Sequence, residues 1–174
     1  MRPVYVLIAT LVAATTLAQP QPSSRLGDLK AFAGNWRCTG TAFQTNWGPE
    51  HPTTAKIKVT WVLGRHWLNV QYEEVKTKQN PNPASGHVHW GYDEGTKKLT
   101  GYGVNNFGGH VFVESDGWQG NTIVWSGTMS AGGASFQTRD TFVLNNPREV
   151  RHTTEAEMGG HWMKFDEETC RKTS

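Results

Sequence analysis

The alternation of apolar and polar residues constrains the fold of this chain most. Within residues 54–63, Ile57, Val59 and Trp61 share one face of an extended segment, and lysines and threonines occupy the other. A period of two is typical of an antiparallel strand with one buried face. Similar segments recur along the chain, separated by glycine, asparagine and aspartate turn signals. The predicted strands are residues 35–43, 54–63, 66–76, 86–93, 97–104, 109–114, 121–127, 135–144, 149–158 and 161–170.

About ten short strands in series, with no helix long enough for a parallel crossover, predict an all-β, up-and-down antiparallel barrel. Ahead of the barrel, leucines and a phenylalanine spaced three apart in residues 24–32 predict a short helical turn that caps one end. Residues 44–52, 77–85 and 129–134 are the long connections. Gathered at one end, they would frame a mouth.

The first 18 residues have the pattern of a secretory signal peptide. Arg2 supplies the positive start, residues 4–12 the apolar stretch and Ala18 the small-residue cleavage site. The stretch is too short to be a strong membrane span, so we expect a secreted or periplasmic protein with no membrane anchor. The rest fits one domain, with a leader and helical cap at 19–33 and the barrel at 34–174.

The charge balance excludes some classes of partner. The formal net charge is +2, and no run of basic residues is present. We therefore expect neither nucleic acid nor an anionic membrane surface as a partner. We expect a monomer or a small oligomer.

The two cysteines lie in the first and last predicted strands. In an exported protein, Cys38 and Cys170 are expected to form a disulfide, because the compartment is oxidising. The alternative is two reduced cysteines that never come within bonding distance. A bond would mean that the first and last strands meet and close the barrel.

The chain also begins its first strand with Gly34-x-Trp36 and ends its last with Arg171. On these residues it resembles the calycin superfamily, which contains the lipocalins and fatty-acid-binding proteins. The resemblance implies that Trp36 packs at the closed end of the barrel. It also implies that Arg171 lies across the indole in a structural cation–π contact.

A closer resemblance is to a family of bacterial proteins of unknown function with a lipocalin-like barrel. Residues 29–36, 64–67, 91–93 and 138–142, together with Arg171, carry it. That family offers no established activity. The chain is more distantly similar to nitrobindin-like haem barrels, whose proximal ligand is a histidine late in the chain.

The two expected contacts between the ends compete. Residues two apart on a strand share a face, so Trp36 and Cys38 point together, whereas the adjacent Cys170 and Arg171 point apart. Both contacts can form only if a β-bulge within residues 166–169 inserts one extra residue.

Large apolar side chains from eight strands are expected to face the barrel interior. These candidate ligand-binding residues are Trp61, Tyr72, Trp90, Tyr102, Phe112, Trp125, Phe142 and Met163. A barrel of this size has room for a small ligand. The predicted function is therefore non-enzymatic binding of a small hydrophobic or planar molecule. The alternative is that these side chains simply fill the barrel.

Histidines offer a second hypothesis, a haem or metal protein. His161 alternates with Met163 and is the best candidate for a haem ligand facing inward, the alternative being a hydrogen-bonded histidine at the rim. His87 and His89 share one strand face, as in β-sheet metal sites. The apolar residues that alternate with them favour a solvent-facing pair instead. We therefore predict no metal site and no cofactor.

A third hypothesis is an enzyme built on the same barrel. Asp140 shares a face with Phe136 and Phe142, so its carboxyl group is expected to be buried and to be able to act as an acid or base. Its neighbour Arg139 points to the other face. Because no nucleophile motif is present, we predict no catalytic residue.

Overall fold

A computed structural model describes residues 20–46 and 48–174, and in it the chain forms one antiparallel sheet that closes on itself. Ten strands make the barrel, and a two-residue strand, β7, lies outside it. The strands are β1 (Gly34–Ala42), β2 (His51–Val62), β3 (Trp67–Glu74), β4 (Ser85–Asp93), β5 (Lys98–Asn105), β6 (His110–Ser115), β7 (Trp118–Gln119), β8 (Thr122–Ala131), β9 (Ala134–Asn146), β10 (Glu149–Met158) and β11 (His161–Lys172). Barrel strands pair with their neighbours in sequence, β6 with β8 across β7, and β1 with β11. The predicted ten-stranded barrel is confirmed.

A 3₁₀ helix, Ser24–Phe32, covers one end of the barrel. Its 3.0 residues per turn align side chains three apart, which is why Leu26, Leu29 and Phe32 are all buried. The indole nitrogen of Trp36 donates a hydrogen bond to the carbonyl of Phe32 at 2.7 Å. The predicted signal peptide lies outside the described residues. Among residues 20–46 and 48–174, no helix is long and apolar enough to cross a membrane.

The opposite end is the mouth. The β1–β2, β3–β4 and β8–β9 connections all lie there, because alternate connections of an antiparallel meander return to the same end. The prediction of a long connection at 129–134 is wrong. Gly132 and Gly133, with φ of 58° and 81°, join the two strands in a tight two-residue turn that needs positive φ at both positions.

The disulfide between Cys38 and Cys170 is confirmed. The two residues lie directly opposite each other in the β1–β11 ladder, and both are buried. The bond therefore joins the first and last strands of the barrel at their own pairing. It is consistent with an extracellular or periplasmic location.

The predicted contact between Trp36 and Arg171 is wrong. The side chain of Arg171 is 67% exposed and binds Glu149 on the outer surface at 2.9 Å. Lys172 is the residue opposite Trp36 in the ladder, and its ammonium nitrogen lies 5.0 Å from the centre of the indole ring. The cation over the tryptophan is therefore a lysine, one residue further along.

The position of the β-bulge explains why Arg171 does not lie over Trp36. The β1–β11 pairing is regular from Trp36 to Ala42. It therefore contains no extra residue that would allow both the disulfide and a contact between Arg171 and Trp36. The register shifts instead between β10 and β11, where Thr154 pairs with Asp166 but the next pair skips Phe165. As a result, the adjacent Phe165 and Asp166 both line the barrel interior.

Candidate functional site: the barrel cavity

The barrel contains a cavity of about 410 Å³. It begins against Phe32 and Trp36 at the closed end and reaches Ser85, Asn105 and Met129 at the mouth. Small-molecule pockets measure roughly 300–1,000 Å³. The cavity is thus large enough for a small ligand, and two groups of side chains with different chemistry line it.

The aromatic cluster consists of Phe32, Trp90, Trp125 and Phe142. Trp90 and Trp125 stack with ring centres 5.0 Å apart, and Phe142 meets Trp90 edge-on at 5.6 Å. Phe32, from the capping helix, contacts Trp90 at 5.2 Å and Phe142 at 5.4 Å. Stacked and edge-on contacts of this kind fix the rings relative to one another. They give the cavity a rigid apolar surface near its closed end.

The polar cluster consists of Asp140, His152, Thr154 and Asp166, from β9, β10 and β11. His152 Nε2 lies 3.2 Å from Asp140 Oδ1, and the Thr154 hydroxyl donates to the same oxygen at 2.7 Å. His152 Nδ1 faces Asp166 Oδ1 at 3.8 Å, too long for a hydrogen bond. Phe142 stacks on the imidazole at 4.3 Å and so joins the two clusters.

More carboxyl groups extend the polar surface along β11 and β3. Glu168 is buried and accepts a hydrogen bond from the Thr53 hydroxyl at 3.0 Å. Glu74 accepts one from the Tyr72 hydroxyl at 3.0 Å and one from the Asn80 amide nitrogen at 2.7 Å. The carboxylic side chains that line the cavity are Glu74, Asp140, Asp166 and Glu168.

The polar cluster faces the cavity and not bulk water. The side chains of His152 and Asp166 keep 18% and 31% of their surface accessible, although protein encloses both groups. Accessible surface on an enclosed side chain belongs to the cavity that it lines. A ligand in the cavity would therefore meet these groups directly.

Burial and charge shift the pKa values of this cluster. Burial by itself lowers the pKa of His152, but the hydrogen bond to Asp140 and the charges of Asp166, Asp140 and Glu168 raise it, to about 9. The imidazole is therefore a cation at neutral pH. Burial raises the pKa of Asp166 to about 7, although the charge of His152 opposes the shift. Burial also raises the pKa of Glu168 and, with the neighbouring carboxylates, that of the Tyr72 hydroxyl.

Residues 21–172 match the family described as "Protein of unknown function (DUF1579)". The chain belongs to this family. Among curated proteins, none matches it. Among solved structures, Rv2717c from M. tuberculosis is similar, with a TM-score of 0.66 and 8% sequence identity over 88% of this chain and 100% of that one. At this identity the likeness shows the barrel fold alone. The predicted resemblance to a barrel family of unknown function is thereby confirmed.

Half of the predicted ligand-binding residues line the cavity, namely Tyr72, Trp90, Trp125 and Phe142. Trp61 packs against the core without lining the cavity, and the Arg65 guanidinium lies 5.5 Å from its ring. The prediction that Tyr102 and Phe112 face inward is wrong, since they are 51% and 41% exposed on the outer wall. Met163 pairs with the buried Ala156 and shares the face of Phe165, so it lies on the inner face as predicted, but it is 40% exposed near the mouth and does not line the cavity. That the lining residues bind a ligand stays a prediction.

The outward position of Tyr102 follows from its glycine neighbours. Gly101 and Gly103 take the inner face of β5, where a Cβ on Gly101 would come within 3.0 Å of Trp90. Trp90 takes the space at Gly101, and Val88 and Val111 take the space at Gly103, so these two inner positions carry no side chain. Tyr102 then lies on the outer wall against Phe112, with ring centres 4.9 Å apart.

The histidines singled out from the sequence lie at the rim or on exposed strand positions. His161 is exposed at the β10–β11 hairpin, so it lies at the rim, which was the alternative, and not inside the barrel. His87 and His89 are exposed as well, as the alternation favoured. In the described part of the chain, the one group of three potential metal ligands is Cys38, Glu168 and Cys170. Its two sulfurs are bonded to each other, so they offer no thiolate.

The histidine enclosed in the cavity, His152, does not fit a haem ligand. His152 is a late histidine that faces the cavity, but Asp140 approaches one ring nitrogen at 3.2 Å and Asp166 the other at 3.8 Å. With its raised pKa the imidazole is protonated on both nitrogens and has no lone pair for iron. His152 is therefore not suited to ligate a haem iron.

Sequence reasoning identified Asp140 but missed His152, Asp166 and Glu168. Asp140 is in the cavity as predicted, and Arg139 binds Glu155 on the other face. The alternating pattern of the strands does place these three residues on the inner face. Counting by two from the second cysteine reaches both acids of β11, and counting from the apolar valine of β10 reaches the histidine.

Proposed function

We propose that this protein binds a small, largely apolar molecule inside the barrel and acts as a binding protein and not as an enzyme. The observation that carries the proposal is the cavity of about 410 Å³ with stacked Trp90 and Trp125 on its surface. A core whose only task is stability is packed to high density with few voids. A cavity of this size, with a few polar groups converging on it, is the usual form of a ligand site.

The closed antiparallel barrel with a capping helix supports the resemblance to the calycin superfamily. Small-molecule binding inside the barrel is what that resemblance implies. The predicted signal peptide and the disulfide support export, so we propose that the ligand is met outside the cytoplasm or in the periplasm.

Native mass spectrometry of the protein with its disulfide intact tests the proposal. We expect a noncovalent adduct that organic solvent releases for identification, or uptake of aromatic probes by the emptied protein. Met129 lines the cavity near the mouth, so Met129→Trp should block entry and weaken binding at least about tenfold.

Thr128→Trp is the matched control, because Thr128 is the adjacent residue and is exposed on the outer face. It should bind like the unmodified protein. Equal binding by both tryptophan variants would place the ligand elsewhere, and the absence of any adduct or uptake would refute a binding role.

A second candidate is an acid–base enzyme. The observation that favours it is His152 held between Asp140 and Asp166 beside the cavity, with the pKa of Asp166 raised by burial to about 7. An acid with a pKa near the working pH is suited to proton transfer. Chemical change of the extracted ligand on prolonged incubation, lost in Asp166→Asn, would favour this candidate over simple binding.

A further inference from the structure

Acidic side chains outnumber cationic ones along the cavity. Four carboxylic side chains line it, and His152 is the one buried cation that faces them among the described residues. No lysine or arginine is among the described residues that line the cavity. Because buried like charges repel strongly, the interior favours an additional positive charge and disfavours a negative one.

The carboxyl group of Asp166 is only partly satisfied by hydrogen bonds within the protein. Its Oδ1 is buried without a hydrogen-bond partner, since His152 Nδ1 stays 3.8 Å away. The 31% of the side chain that is accessible belongs to its other atoms and faces the cavity. A ligand donor can reach the carboxyl group only through these accessible atoms, and a hydrogen bond there would lower the cost of enclosing the carboxyl group.

Glu168 stands two residues further along β11 and lies on the same face. Its carboxyl group accepts a hydrogen bond from the Thr53 hydroxyl at 3.0 Å. The two acids therefore present carboxyl groups to the same space. The aromatic cluster offers the remaining surface, and faces of tryptophan and phenylalanine attract cations as well as apolar groups.

We infer that the cavity takes a small molecule with a protonated amine on an apolar body, the ammonium group lying beside Asp166 and Glu168. The inference rests on the proposed binding function and adds the chemical class of the ligand. A fatty acid or another anion is disfavoured on the same grounds, because its carboxylate would enter a space lined by four acidic side chains and a single imidazolium that Asp140 already engages.

Binding of an amine then depends on pH. Asp166 faces His152 and Thr154 of β10, Asp140 of β9 and Glu168 of its own strand. At a pH below its pKa of about 7, Asp166 must release a proton before it pairs with an ammonium group. The affinity for an amine should therefore rise by up to about tenfold per pH unit below neutrality and level off above it.

Calorimetric titration with three probes on one ring system tests the inference. The probes are naphthylmethylamine, naphthylmethanol and naphthoate, and the amine stays protonated throughout. We expect the amine to bind at least about tenfold more tightly than the alcohol at a pH of about 8, and naphthoate to bind most weakly. Proton release on binding the amine, seen as a buffer-dependent heat, should vanish above neutrality.

The outcomes separate the two proposals. If no probe binds, the proposed function fails. If amine and alcohol bind equally, or naphthoate binds best, the binding function stands and the amine preference is overturned.

Asp166→Asn should lower the affinity for the amine at least about tenfold and leave that for the alcohol within about twofold. Asp116→Asn is the matched control, since Asp116 is 75% exposed at the closed end. If the Asp166 variant fails to fold, as judged by near-ultraviolet circular dichroism, the three-probe series and the pH profile of the unmodified protein still decide the question.

Discussion

Replacing Asp166 by asparagine should change how the stability of the barrel depends on pH. In the folded protein Asp166 keeps its proton up to about pH 7, whereas an ordinary aspartate loses it near 3.8. Between these values the folded state binds more protons than the unfolded state. The free energy of unfolding therefore falls as the pH rises through this window, and an asparagine at this position removes that part of the fall.

The difference between the two pKa values corresponds to about 4 kcal/mol, at about 1.36 kcal/mol for each pH unit. Titration with these two pKa values places about 2.5 kcal/mol of the fall between about pH 5 and about pH 7.5. His152, whose pKa is also raised, adds a fall over its own window between 6.5 and about 9. That contribution remains largely present in both proteins.

Urea unfolding followed by tryptophan fluorescence measures the effect. The free energy of unfolding of the unmodified protein should fall by about 2.5 kcal/mol more than that of Asp166→Asn over this range. Asp116→Asn should follow the unmodified protein. Parallel profiles for the unmodified protein and Asp166→Asn would show that Asp166 titrates normally, and would refute an enclosed carboxyl group at the cavity.

Three further predictions concern the framework. Cys38→Ala combined with Cys170→Ala removes a cross-link between residues 132 positions apart and should lower the free energy of unfolding by about 5 kcal/mol in the chain-entropy model. A loss under about 1 kcal/mol would contradict a stabilising role for this disulfide. Lys172→Ala should lower the free energy of unfolding by about 0.5–1 kcal/mol through loss of its cation–π contact, and Arg171→Ala by less than about 0.5 kcal/mol. Thermal melts that give the reverse order would favour Arg171 as the cation over Trp36. Gly101→Ala brings a methyl group within 3.0 Å of a buried indole and should cost about 1–3 kcal/mol in urea unfolding, so an unchanged midpoint would show that the space is free.

The barrel was predictable because its strands repeat one local pattern many times. Ten segments of alternating residues, each ended by a turn signal, allow few other folds, and errors of one or two residues at each end do not alter the topology. The disulfide followed from the same pattern, since the cysteines lie in the strands that must meet. The capping helix also followed, from three apolar residues spaced three apart.

The site was only partly predictable because the inward-facing residues of a strand are assigned by taking every second residue. For β11 the assignment depends on which end of the strand the count starts from. Counting from His161 places Met163 and Phe165 inside, whereas counting back from Cys170 places Asp166 inside. The bulge at Phe165 makes each count right on its own side, so the adjacent Phe165 and Asp166 both line the cavity. A bulge is set by the pairing with the neighbouring strand, so the sequence of β11 alone does not mark it.

Aromatic residues were misplaced for a different reason. Sequence reasoning assigned large apolar side chains to the interior, but Tyr102 and Phe112 pair on the outer wall. The interior at that height is already filled by the Trp90 and Trp125 pair from other strands. Whether an inner position carries glycine or tyrosine depends on partners that are distant in the sequence.

The bulge at Phe165 also divides β11 into two parts that tolerate insertions and deletions differently. On the mouth side, adding or removing a pair of residues changes the height of the β10–β11 hairpin and leaves the cavity lining unchanged. Between Phe165 and Cys170, a single inserted or deleted residue would turn Asp166 and Glu168 outward or move the cysteine away from its partner. We therefore expect length variation among relatives to be confined to the mouth side of Phe165, with the segment up to the cysteine fixed in length.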